Sequence, residues 1–193
     1  MTSLLPTSLF LLIAAIIPGP NNLVVMRAAA RNGWIAACPA VAGVVAGGLA
    51  LLVVVAAGVG RVFSMWPWLR VAVEVGGALY LGLSGTRMIA AADREVDPMA
   101  APNGLAGLFV FQFLNPKGWT MVLTVVAALP AADATHAFMR LAPLFICIPA
   151  ACLLLWAGLG GVLAPHMTRP VVRHWTDRAM GALLIIAALM LFA

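Results

Sequence analysis

Charge is what this sequence has least of. Of its 193 residues, 9% are charged, where a soluble domain carries about 25%. A water-facing surface needs more than that. With 64% apolar residues and a mean hydropathy of +1.09, the expected surroundings are the hydrocarbon core of a membrane. Basic residues give a net charge of +5. They are scattered between apolar runs, without a basic cluster or an aromatic platform, so nucleic acid is not an expected partner. Acids number six and form no cluster. The three histidines, His136, His166 and His174, fall in predicted loops and lack metal-ligand spacing, so neither a metal nor another cofactor is expected. Cysteine is limited to Cys38, Cys147 and Cys152, an odd number with no CxxC pair, which argues against a disulfide framework. No basic residue precedes the apolar run Leu4–Ile17, and that run leads into Pro-Gly-Pro rather than a small-x-small cleavage site, so it is expected to be retained.

What the sequence does contain is two interruptions of apolar runs. One is Pro18-Gly19-Pro20-Asn21-Asn22; the other is Asn115-Pro116-Lys117-Gly118, inside the run from Gly104 to Pro130. Hydrocarbon neither hydrogen-bonds a broken backbone nor solvates an ammonium. Both breaks therefore point to sites buried between helices.

The first span is expected from about Pro6, broken at Pro18–Pro20 and continuing to about Arg31, where Asn32-Gly33 supplies a stop. The second runs from about Ile35 to Gly60. Its Gly43 and Gly47 form a GxxxG that suits either internal packing or a homodimer face. The third runs from about Leu69 to Ala91 and holds Glu74, which either pairs with Arg70 at the interface or belongs to a proton pathway. Residues 92–103 read as a polar linker. The fourth span is Gly104–Pro130, the fifth about Phe138–Leu163 with kinks at Pro143 and Pro149, and the sixth runs from about Thr176 after a basic loop at 165–175.

The spans divide into two halves, at about 1–91 and 104–193. Placing Pro18 on Pro116 superposes the breaks, and Gly77–Leu81 resembles Gly181–Ile185 at an offset of 104. Three spans per half predict an inverted-topology repeat, with the site at the bilayer midplane where the broken helices meet. The fold class expected is thus an all-α integral membrane protein of six transmembrane helices, of which helices 1 and 4 are broken. Arginines 27, 31, 87, 94, 169, 173 and 178 follow odd-numbered spans, whereas 61, 70 and 140 follow even-numbered ones. This bias puts the first set in the cytoplasm and both termini outside.

At each break the second half-helix opens with unpaired N–H groups and a positive dipole end, which suits a carboxylate. The carbonyls ending the first half-helix suit an ammonium. Asn21, Asn22, Asn115 and Lys117 add donors, acceptors and a positive charge. The predicted binding set is therefore Pro18, Gly19, Pro20, Asn21, Asn22, Asn115, Pro116 and Lys117, with Glu74 as a possible coupling residue.

Pro18-Gly19-Pro20 followed by an Asn-containing half-helix resembles the N-terminal signature of the LysE/RhtB amino-acid exporters. Asn115-Pro116-Lys117 is similar to that family's second signature, and the length, the six spans and the segments at 77–81 and 181–185 also fit. The resemblance covers nearly the whole chain. It implies a multi-pass protein of the bacterial inner membrane that exports amino acids or their derivatives, driven by the proton gradient. Competing readings are a cation or metal carrier of the same superfamily, a structural membrane subunit, and a membrane enzyme. The last would need a nucleophile–base constellation that the sequence does not display.

Overall fold

The computed structural model describes residues 4–17, 19–59, 65–92, 104–127, 134–166 and 169–189. These are helical with short joints, and no strand occurs among the described residues. The α-helices are α1 (Leu5–Ile16), α2 (Pro20–Asn32), α3 (Cys38–Val54), α4 (Pro67–Ala92), α5 (Gly104–Leu114), α6 (Pro116–Ala127), α7 (Ala134–Leu163) and α8 (Pro170–Leu189).

The first break separates α1 from α2, whose axes differ in direction by 53°. Proline is well tolerated at the first position of a helix, where its missing N–H costs nothing, and Pro20 and Pro116 open α2 and α6 in this way. Helix α2 ends where Asn32-Gly33 predicts. Gly33 adopts φ +85° and donates its N–H to the Ala29 carbonyl, a conformation that favours glycine. A short 3₁₀ turn at Ile35–Ala37 leads into α3, which loosens at Val55–Val59 into a π-helical turn around Gly58 at φ +107°.

Two stretches, Ile35–Gly58 and Phe138–His166, are each long and apolar enough to cross a membrane, and α1 with α2 makes a third when taken as one bent span. Helix α7 carries both Pro143 and Pro149 without interruption.

Small residues set the helix contacts. A Cβ on Gly43 would strike the Leu105 carbonyl oxygen, and one on Gly47 would lie 2.8 Å from that of Phe109. The GxxxG of α3 is therefore taken up inside the chain, by α5. Gly160 of α7 seats the Met26 carbonyl of α2 in the same way. Helices α4 and α8 run antiparallel with a reciprocal contact. A Cβ on Gly85 would lie 2.5 Å from the Gly181 carbonyl and 2.8 Å from Ile185 Cγ1; one on Gly181 would lie 2.7 Å from the Gly85 carbonyl and 2.8 Å from Ile89 Cγ1. Gly85 and Gly181 are 96 positions apart, as are Pro20 and Pro116, which both open helices; the sequence offsets are 98 for Pro18 on Pro116 and 104 for the glycine segments.

Helix α8 starts at Pro170, six positions before the expected Thr176. Residues 170–175, read as part of a basic loop, are thus helical, and His174 lies in α8 with its Nδ1 3.2 Å from the Ala92 carbonyl. His136 and His166 also fall in helical turns rather than loops. Asp177 lies in the second turn of α8. It is 2% exposed, and Arg27 Nε and Arg31 Nη2 of α2 meet its carboxylate oxygens at 3.3 and 2.9 Å.

Candidate functional site

The two breaks converge. Lys117, in the first turn of α6, donates from Nζ to the Ile17 carbonyl at 2.9 Å, across one hundred positions of chain. Its Nζ would lie only 3.0 Å from a Cβ on Gly19, so the ammonium sits beside the residue that caps α2. Absence of a side chain at Gly19 makes the room. Gly19 is extended (φ −153°, ψ 177°) and offers no side-chain cap to the first turn of α2. The second break differs. Asn115 Oδ1 accepts from the Lys117 backbone N–H at 3.1 Å, a side-chain cap that occupies one donor of α6. The open helix N-terminus at this site is therefore that of α2.

The carbonyls at the end of α1 are largely met by the protein. Asn22 Nδ2 donates to the Ala15 and Ile17 carbonyls at 2.9 and 3.1 Å, and Trp156 Nε1 of α7 donates to that of Ile16 at 3.2 Å. At the end of α5, Trp119 Nε1 reaches the Phe113 carbonyl at 2.9 Å. The expectation that unwound carbonyls await an ammonium thus meets a structure in which Asn22, Trp156 and Lys117 already bond those of α1.

A different acceptor is open. Asn21 Nδ2 donates to Gln112 Oε1 at 2.8 Å, while Asn21 Oδ1 is buried without a hydrogen-bond partner. Gln112 Oε1 also accepts from Asn115 Nδ2 at 3.2 Å. Gln112 thereby ties the two asparagines together, one from each break, and is itself 6% exposed. The sequence reading missed it. A lone amide in an apolar run was the available signal, since burial obliges such a group to find partners.

These groups line a cavity with about 60 Å³ of space for the centres of water molecules, room for a few waters. One end is polar: Gly19, Asn21, Asn22, Gln112, Asn115 and Lys117. The remaining wall comes from Ala14 and Ala15 of α1, Val44, Val45 and Gly48 of α3, Gly118, Met121 and Val122 of α6, and Phe145, Pro149 and Leu153 of α7. Pro149 has no N–H, so the Phe145 carbonyl lacks its ordinary helical donor beside this cavity. Lys117 is the one charged side chain among the described residues that line it.

Of the predicted set, Gly19, Pro20, Asn21, Asn22, Asn115 and Lys117 line this one cavity; Pro116 adjoins it, starting α6. Pro18 lies outside the described residues. Glu74 belongs to the backbone of α4, and its side chain lies outside what is described.

The chain matches the family model described as LysE type translocator over residues 12–193. No curated protein and no solved structure matches it. A match over nearly the full length, on an all-helical chain with membrane-length apolar helices, means that this protein belongs to the LysE type translocator family, a family of membrane transporters.

Proposed function

We propose that this protein exports amino acids or amino-acid derivatives across the bacterial inner membrane by alternating access, and that the cavity between the two breaks is the substrate site. The observation that carries the reading is the Lys117 ammonium beside the uncapped N-terminus of α2. A fixed cation and a helix dipole converge there, the arrangement that favours a carboxylate. Asn21 Oδ1, buried and without a partner, supplies an acceptor for the substrate ammonium. Donors and acceptor at one end of a small cavity suit a zwitterion. Pro20 and Pro116 act by opening α2 and α6 at the breaks.

The working architecture is six spans in two inverted halves. Its support is the reciprocal glycine contact of α4 with α8 and the matching positions of Pro20 and Pro116. A pseudo-two-fold axis passing between α4 and α8 accounts for both. Export is driven by the proton gradient, with Glu74 as the candidate proton carrier. The test is counterflow of labelled amino acids into proteoliposomes holding the purified protein. Amino acids should exchange, and their amides, which lack the carboxylate, should fail to compete. Equal competition by the amides would remove Lys117 and the α2 N-terminus from substrate binding.

A further inference from the structure

Resting on this reading of the site, the geometry points to a neutral aliphatic amino acid as the substrate, with Gly48 as the position that limits its size. The polar end of the cavity is complete once a carboxylate and an ammonium are placed there. What remains for a side chain is apolar wall: Val44, Val45, Met121, Val122, Phe145 and Leu153. No acid stands among the described lining residues to receive a second ammonium or a guanidinium. A cationic side chain would carry an unpaired charge into that wall, and an acidic one would need a second cation beyond Lys117.

Gly48 differs from the other glycines of its helix. On Gly43 and Gly47 a Cβ would collide with the α5 backbone, so those two are required for packing. On Gly48 the nearest atom to a Cβ is Gln112 Nε2 at 3.7 Å, an ordinary contact. The helix therefore accepts alanine at 48, and because Gly48 lines the cavity the added methyl takes up space there, beside the Gln112 amide. Met121 lines the same cavity from α6.

The experiment measures competition in counterflow by alanine, valine, leucine, lysine and glutamate, for the native protein, Gly48→Ala and Met121→Ala. In the native protein the aliphatic amino acids should compete at concentrations at least about tenfold below lysine and glutamate, the scale set by pocket discrimination. Gly48→Ala should weaken leucine relative to alanine by about tenfold, and Met121→Ala should move that ratio the other way. Ratios between substrates cancel any change in the amount of folded protein. Lysine or glutamate competing as well as leucine would overturn the substrate class, and an unchanged leucine-to-alanine ratio in Gly48→Ala would overturn the role of Gly48. Failure of every amino acid to compete would instead sink the proposed function itself.

Discussion

Asn21 and Asn22 are neighbours with opposite duties. Asn22 is 5% exposed and spends its amide on two carbonyls at the end of α1. Replacing it by Leu leaves the Ala15 carbonyl short of a donor, while that of Ile17 keeps Lys117, and should cost about 1–3 kcal/mol of stability. Asn21 makes one hydrogen bond, to Gln112, and keeps a bare acceptor at the cavity. Asn21→Ala should therefore lower the melting temperature in detergent far less than Asn22→Leu, yet lose most of the transport. Equal destabilisation by the two variants would show that both asparagines serve the fold alone. Both were legible in the sequence as polar residues at a break, because Pro-Gly-Pro marks the break locally. Their division of labour was not, since it depends on which carbonyls and amides the packed helices bring near. Gln112 and Trp156 escaped notice for the same reason: each acts on a partner from a distant segment, and nothing beside them in the sequence announces it.

Helix α2 is held at both ends. Its N-terminus meets Lys117 and Gln112, and its last turns meet Asp177 through Arg27 and Arg31. The acid is fully buried against the two guanidinium groups, so removing its charge weakens both contacts. Asp177→Asn should destabilise the protein by about 3–5 kcal/mol, while replacing all three residues by apolar ones of similar volume should recover much of the loss. Denaturation in detergent measures both; an Asp177→Asn protein as stable as the native one would contradict the assignment. The tie was hidden because Arg27 and Arg31 read naturally as topology signals and because α8 begins earlier than its apolar run. Pro170, at the first helical position, starts that helix in a polar stretch, where hydropathy gives no sign of it. Elements with strong local punctuation, such as the stop at Asn32-Gly33, fell where the sequence placed them.

At the scale of the whole molecule, Gly85 and Gly181, 96 positions apart, meet face to face, and Lys117 joins the second break to the first. That register escaped the sequence because apolar segments resemble one another at many offsets, and only the close approach of Gly85 and Gly181 selects one. The proposed inverted arrangement predicts a topology: cysteines placed at Asp97 and Asp133 should be labelled from the cytoplasm and from outside, respectively, in oriented vesicles. Labelling of both from one side would contradict an odd number of spans between them. The central claim is that the two breaks build one carboxylate site around a single cation. Lys117 supplies that cation, and on a lipid-facing surface its charge would cost about 2.5–3.5 kcal/mol. The most direct measurement is counterflow of a labelled amino acid by purified Lys117→Met in proteoliposomes, with its melting temperature taken alongside. The account predicts a protein that is inserted and folded but does not transport; full activity in Lys117→Met would contradict it.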